Sequence, residues 1–367
     1  MSAKLTQLAA SLPATVPFIG PETQERSRQR PFVARLGANE SLFGPSPLAI
    51  AAMARAASEV WMYGDPECHD LKAALAAHHG CRMQNIVVGE GIDGLLGLLV
   101  RLLIAPGDAV VSSLGAYPTF NFHVTGFGGI LHRAPYLDNH EDPEALLALA
   151  RSTKAKLIYL ANPDNPMGSH HPAATVTAMI DALPDGCLLV LDEAYIDLAP
   201  PGTAPETASD DPRLIRLRTF SKGYGMAGAR VGYAIADTDL AAAFDRVRNH
   251  FGVGRIVQAG ALAAVRDQDW LKQVQGRVVR ARLRLSGIAR ENGLIPLPSA
   301  TNFVTMDCGG DGDLARRVLA ELTARDIFVR MPGVAPLDRC IRVSLGDAPA
   351  MSAFEAALPE ALRAAKL

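Results

Sequence analysis

The sequence has no excess of either charge. Its 367 residues carry 36 Lys+Arg against 38 Asp+Glu, a formal net charge of -2. A nucleic-acid binder needs a basic surplus to displace counterions, so near-neutrality argues against that class. Long apolar runs are also missing. The stretch 94–107 is the longest, and Arg101 and Pro106 break it, whereas a membrane-spanning helix needs about 20 apolar residues. The beginning of the chain, MSAKLTQLAASLPATVPF, has one Lys and an apolar stretch interrupted by polar residues, which does not read as a signal peptide. Cysteine is scarce: five scattered residues, Cys68, Cys81, Cys187, Cys308 and Cys340, with no C-x-x-C. That odd, dispersed set suits reduced thiols in the cytoplasm better than a disulfide framework or a zinc site. No internal repeat or low-complexity block is present.

What is there is an ordinary globular composition, 49% apolar and 20% charged, with a mean hydropathy of +0.12. The length exceeds the range over which one core keeps growing, so two domains are expected. Short apolar runs at 85–88, 109–112, 156–160, 188–191, 214–217 and 231–235 read as strands. Several are continuously apolar, as in strands buried on both faces of a mostly parallel sheet. Helical patterns at 95–104, 143–151 and 173–183 lie between them, giving an α/β alternation. After about residue 239 the pattern changes to a long helix over 270–292, then strands at 302–306, 327–330 and 341–344 with helices between. The expected division is an N-terminal segment, 1–46, folding back on the smaller domain; a large domain, 47–250; and a small α+β domain, 251–367.

Four stretches at strand ends could carry chemistry. Gly89-Glu90-Gly91-Ile92-Asp93-Gly94 matches G-x-G-x-x-G between a strand and a helix. A dinucleotide site would also need an acid ending the next strand, and Asp108 lies before that strand instead. A helix start with small residues still suits one phosphate, and a tight turn that needs Gly explains the glycines equally well. Thr219-Phe220-Ser221-Lys222-Gly223 places a Lys among small residues just after a strand. A desolvated Lys has a depressed pKa and becomes an amine nucleophile for a Schiff base. Ser221 and Arg230 flank it and could grip a phosphate. Asp192 and Glu193, with Tyr195, close a buried strand, where α/β sheets meet their ligands. Asn162-Pro163-Asp164-Asn165-Pro166-Met167-Gly168 follows another strand and is dense in turn residues. Taken singly, each is a turn, a cap or a solvated loop. Taken together, they supply an amine, a carboxylate, an amide, a phenol and a phosphate cradle, the set that pyridoxal phosphate requires.

On those residues the chain resembles the fold-type I pyridoxal-phosphate aminotransferases, most closely the histidinol-phosphate aminotransferase branch, from Leu36 to Gly346. The resemblance implies a large domain with a mostly parallel seven-stranded sheet between helices. It implies that Lys222 holds the cofactor as a Schiff base and then shuttles a proton. Asp192 would pair with the ring nitrogen, and Asn165 and Tyr195 would hydrogen-bond the ring's phenolic oxygen. Ser221, Arg230 and the backbone of Gly91, Ile92 and Asp93 would bind the phosphate. Phe120 would stack on the ring, with Tyr117 as the alternative. Arg342 would clamp the anionic end of the substrate, Arg330 would serve beside it, and Asn39 belongs to a segment covering the substrate. Tyr63 would reach the phosphate of a neighbouring subunit, which implies a homodimer.

Three departures bear on the substrate. Ile92 stands where the family's phosphate loop has a Ser, Met167 where it has a Thr, and His123 where the branch often has a second Tyr. The paired histidines His78-His79 and His170-His171 read as surface residues, not metal ligands. The expected reaction is a ping-pong transfer between an amino donor, histidinol phosphate or another and possibly aromatic amino acid, and a 2-oxo acid such as 2-oxoglutarate. Two alternatives stay open at this stage: a pyridoxal-phosphate decarboxylase of a phosphorylated amino acid and, more distantly, a nicotinamide-dependent oxidoreductase.

Overall fold

A computed structural model describes residues 4–14 and 18–367; part of the leading stretch weighed as a signal peptide therefore lies outside the described residues. The twelve strands are β1 (Ala34–Arg35), β2 (Ile86–Gly89), β3 (Ala109–Ser113), β4 (Ile130–Ala134), β5 (Leu157–Ala161), β6 (Leu188–Asp192), β7 (Leu214–Thr219), β8 (Gly232–Ala236), β9 (Ile295–Pro296), β10 (Phe303–Asp307), β11 (Ile327–Phe328) and β12 (Cys340–Ser344). Seven of them form one sheet in the order β2-β8-β7-β6-β5-β3-β4. The pairs from β7 through β4 are parallel, and β8 alone runs antiparallel to both its neighbours. Every residue of β5 and β8 is buried, because helices cover both faces and leave no side for polar alternation.

The expected strands lie within one or two residues of the observed ones, but β4 and the two-residue strands β1 and β9 were not anticipated. The β4 sequence, Ile-Leu-His-Arg-Ala, is at the sheet edge with only its last residue buried, so it lacks the continuous apolar run that marks the central strands. Helices follow the strands in alternation. Asp142 caps Pro143–Thr153 by accepting from the backbone N–H groups of Glu144 and Ala145.

The smaller body is the antiparallel sheet β12-β10-β9. The helices Gly312–Ala324 and Ala348–Ala365 pack with it around Val304, Val318, Val343 and Phe354. The N-terminal segment joins it: β1 pairs with β11, Ala34 opposite Ile327. Helix Arg255–Arg266 follows residue 250 but packs with Pro47–Ala56 and His69–His79, and so belongs by contact with the large body. The long helix Gln268–Glu291 spans both cores, with Leu271 in one and Val274 to Ala289 in the other.

The histidine pairs are not simply surface residues. His79 is half-buried, its Nε2 2.8 Å from the Tyr233 hydroxyl, and burial lowers its pKa to about 3. His171 donates its backbone N–H to Asn162 Oδ1 at 2.8 Å and sets Nε2 2.7 Å from the Glu141 carbonyl. One imidazole nitrogen and the backbone N–H are thus used structurally. Among the described residues, no group of three or more His, Cys, Asp and Glu is placed to hold a metal ion, and no helix is long and apolar enough to cross a membrane.

Candidate active site

The ends of β5, β6 and β7 open into a cavity of about 720 Å³, closed on the far side by the N-terminal segment and by residues near β12. Ligands in open α/β sheets sit at the carboxyl ends of the strands, and the motif-bearing residues are those ends. Asp192 is the last residue of β6 and is 5% exposed. Its Oδ2 accepts from the Tyr159 hydroxyl at 2.7 Å and its Oδ1 from the Ala194 N–H at 2.9 Å. Burial outweighs those donors and raises its pKa to about 6.

Lys222 sits three residues past β7, with its amine donating to the Asn39 carbonyl at 2.9 Å. Burial, followed by the charge of Arg342, lowers its pKa to about 8. No carboxylate pairs with it among the described residues, so its amine is poised as a nucleophile.

The phosphate-loop residues converge on one corner. Gly91 begins helix Gly91–Leu103 at φ +75, and a Cβ there would run into the Arg230 guanidinium. Arg230 Nη1 lies 3.4 Å from Ser221 Oγ, and Nη2 lies 3.6 Å from Asp93 Oδ2. Thr219 adds a hydroxyl 2.9 Å from Ser221 Oγ, a contact the sequence reading did not include. Ile92 and Asp93 line the cavity beside them. Helix N–H groups, a hydroxyl and a guanidinium together make an anion site.

At the opposite end are two arginines. Arg330 and Arg342 face each other in an antiparallel bridge, Arg342 N donating to the Arg330 carbonyl at 2.6 Å and Arg330 N to the Arg342 carbonyl at 3.1 Å. Arg342 donates to Asn165 Oδ1 and, at 2.9 Å, to the Gly37 carbonyl. Arg330 lies over the Phe18 ring, 3.9 Å from its centroid, and donates to the Ile19 carbonyl. Both Nε atoms are buried without a partner, and neither arginine meets a carboxylate among the described residues. Burial lowers both pKa values, that of Arg330 to about 10. Two close, uncompensated guanidinium groups are a receptor for an anion.

Asn39 links the two ends. Its Nδ2 donates to the Tyr195 hydroxyl at 3.0 Å, and its Oδ1 accepts from Ser344 Oγ at 3.0 Å. Burial raises the pKa of the Tyr195 phenol, so it stays protonated.

Two expectations need correction or restriction. Phe120, expected against the ring, is fully buried and stacked on Tyr159, 4.9 Å between centroids, and is not on the cavity wall; Tyr117 is. The first turn of helix Pro118–Gly126 points Phe120 back into the sheet packing and leaves Tyr117, ahead of the helix, facing the cavity. Tyr63 is remote from this cavity. It is 76% exposed and stacks on Phe251 at 4.4 Å.

The sequence reading missed a buried acid cluster behind the site. Glu141 accepts from Ser113 Oγ at 2.5 Å and from the Ala161 N–H at 2.9 Å. Asp164 accepts from the Tyr136 hydroxyl at 2.9 Å and from the Met167 N–H at 3.0 Å, which fastens the loop carrying Asn165. Burial raises both carboxyl pKa values. Only the turn residues around Asp164 hinted at this, and nothing in the sequence marked Glu141 as buried.

The family model for class I and II aminotransferases matches residues 33–357. A histidinol-phosphate aminotransferase 2 of Ralstonia nicotianae is 34% identical over 340 residues, 91% of each chain. A histidinol-phosphate aminotransferase of an Anaeromyxobacter species is 37% identical over 305 residues, 82% of this chain and 84% of that one. Among solved structures, the histidinol-phosphate aminotransferase of Sinorhizobium meliloti in complex with pyridoxal-5'-phosphate superposes with a TM-score of 0.96 at 53% identity, covering 98% of both chains. An aspartate aminotransferase variant of Thermus thermophilus shares the fold, with a TM-score of 0.82 at 20% identity, covering 99% of this chain and 100% of that one. These likenesses stand against a nicotinamide reading of the Gly89–Gly94 loop.

Proposed function

The chain belongs to the class I and II aminotransferase family, and we propose that, within it, this protein moves an amino group between histidinol phosphate and a 2-oxo acid such as 2-oxoglutarate. It is a pyridoxal-phosphate-dependent aminotransferase. The residues fit that cofactor: Gly91 leaves open the corner that a Cβ would fill, and Arg230, Ser221 and the helix N-terminus surround it. Bound there, pyridoxal phosphate supplies an aldehyde that an amine can condense with and a ring that accepts the electron pair left when the Cα–H bond breaks.

The chain's own groups do the rest. Lys222, deprotonated above about pH 8, offers the amine that holds the cofactor and, once freed, carries a proton to and from Cα. Asp192, as a carboxylate, keeps a proton on the ring nitrogen. Asn165 and Tyr195 direct an amide and a phenol towards the ring's oxygen. Arg342 and Arg330 draw the anionic end of the substrate to the small-domain side, which orients Cα over Lys222. Asn39 and Phe18 exclude water above it.

The observation that carries this reading is the pairing of an amine with a depressed pKa at one end of the cavity and two carboxylate-free arginines at the other. A cation pair suits the phosphate of one substrate and the carboxylate of the other in turn. The reaction would then be the amino-transfer step of histidine formation, within amino-acid biosynthesis. An exposed apolar surface at Val60, Trp61, Tyr63 and Phe251 supports a homodimer, with Tyr63 reaching the partner's cofactor. Five unpaired cysteines, Cys81 alone not buried, fit a cytoplasmic location.

The test is a panel of amino donors scored by single-turnover loss of the cofactor's visible absorbance. Histidinol phosphate should react with the highest kcat/KM. A panel in which an aromatic amino acid or aspartate outruns it, or in which carbon dioxide is released, would overturn the assignment.

A further inference from the structure

Tyr159 is the middle residue of β5, inside the run Leu-Ile-Tyr-Leu-Ala, and its side chain is completely buried. The parallel pairing of β5 with β6 puts Tyr159 opposite Val190 and Ala161 opposite Asp192. Residues 159 and 161 share one face of the sheet, so the phenol runs along that face to the neighbouring strand's end. There its hydroxyl donates to Asp192 Oδ2 at 2.7 Å. The Tyr159 ring is stacked on Phe120, with 16° between the planes. A phenylalanine would fill the same space, so packing does not account for the hydroxyl; its partner is the carboxylate.

We propose that Tyr159 is a positioning residue for Asp192: its hydroxyl fixes the rotation of the carboxylate and favours its charged form, and so sets how firmly Asp192 holds a proton on the cofactor's ring nitrogen, while Phe120 holds the Tyr159 ring in place. This rests on the role given to Asp192 in the preceding subsection.

The electrostatics around Asp192 explain why a neutral donor matters. Of the charged groups around it, Asp93 and Glu193 are negative, as is Glu141 behind β5, whereas Lys222, Arg230 and Arg342 are cations lining the same cavity; Tyr117 and Tyr195 also lie nearby. Burial and these acids push the carboxyl towards its neutral form, and the hydrogen bonds from the Tyr159 hydroxyl and the Ala194 N–H oppose them. Burial, with the charges of Asp192, Glu141 and Asp164, keeps the Tyr159 phenol protonated, so it is a donor throughout the working pH range. Hydrogen bonds to a charged acceptor are about twice as strong as neutral ones. Without Tyr159, the proton shared between carboxyl and ring nitrogen shifts towards Asp192.

The experiment uses holoenzyme loaded with pyridoxal phosphate carrying 15N in the ring, in the wild type, Tyr159→Phe and Phe120→Leu. The ring-nitrogen chemical shift is followed from pH 6 to 9. The wild type should show the protonated position across this range. Tyr159→Phe should move towards the unprotonated position, and Phe120→Leu should move in the same direction by less. In Tyr159→Phe, kcat should fall about ten-fold while KM for the amino donor changes less than about two-fold. A wild-type shift in Tyr159→Phe overturns the proposal, even if less of that variant is folded or loaded. Should Tyr159→Phe fail to fold, 3-fluorotyrosine placed at position 159 alone, a stronger donor, must extend the protonated form to higher pH in a titration carried above pH 9; an unchanged profile overturns it as well. An Asp192→Ala holoenzyme with the wild-type shift would overturn the reading of Asp192 itself and this inference with it, whereas a displaced shift in Asp192→Ala beside a wild-type shift in Tyr159→Phe removes only the inference.

Discussion

The amine of Lys222 and the backbone carbonyl of Asn39 are 2.9 Å apart. Asn39 adopts a left-handed backbone, φ 55, and its carbonyl also accepts from Asn302 Nδ2 at 3.0 Å. The amine of the large domain is therefore held by a residue that is also bonded to the small domain, through Ser344 and Asn302. A neutral amine has one such acceptor to leave before it can attack a carbonyl carbon.

That relationship gives a pH dependence with a definite sign. A buried lysine with its pKa lowered to about 8 is mainly neutral above that pH and mainly charged below it. The rate at which cofactor-free protein binds pyridoxal phosphate covalently, read by stopped-flow absorbance, should rise from pH 6 to about 8 and then level off. A rate still climbing ten-fold per pH unit past 9 would mean an ordinary lysine.

Arg342→Ala should separate substrate binding from cofactor binding. It removes a half-buried cation that meets no carboxylate among the described residues, together with the donors to Asn165 and Gly37. Truncating one side of a buried charged contact costs about 2–5 kcal/mol. kcat/KM for the amino donor should drop by about 100-fold or more, while cofactor content, measured after alkaline release, stays at the wild-type level. Equal loss of both would refute the assignment.

Gly91→Ala should do the reverse. The residue sits at φ +75 and its Cβ would collide with Arg230. The left-handed backbone alone costs about 1–2 kcal/mol. Equilibrium dialysis should show weaker retention of pyridoxal phosphate and of inorganic phosphate, with KM for the amino donor in fully loaded enzyme little changed. Unaltered retention would show that this corner does not hold the phosphate.

Glu193 carries a stability prediction. Its carboxylate is fully buried between Arg216 and Arg218, with contacts of 2.8 Å to each, and these charges lower its pKa despite burial. A folded pKa below the unfolded one contributes stability at neutral pH that is lost as pH falls through the folded value. Glu193→Gln leaves two guanidinium groups without their counter-charge and should cost about 3–5 kcal/mol in urea unfolding at pH 7. The gap between variant and wild type should narrow towards acid. A gap independent of pH would place the effect in packing instead.

Much of this fold was legible because the central strands are apolar on both faces. Leu157–Ala161 and Leu188–Asp192 announce themselves by continuity, and each is followed by a motif the cavity uses. β4 was not legible, since an edge strand bearing His132 and Arg133 has no period to detect. At the site, Asp192 ends a strand, Lys222 and Arg230 lie in the loop between β7 and β8, and Arg342 puts a charge within an otherwise apolar strand, so all four stand out in the sequence. Tyr159 does not: within an apolar run an aromatic reads as core, and only the register of β5 against β6 shows that it ends on a carboxylate. Phe18 was equally hidden, because its contact with Arg330 joins residues more than 300 positions apart.

The central claim is that the Lys222 nitrogen is the point at which vitamin B6 is covalently attached. Borohydride reduction of the purified protein, followed by proteolysis and mass mapping, tests it directly. A pyridoxyl group on Lys222 is the predicted result; an unmodified Lys222 peptide, with the label on another lysine or absent, would contradict the account.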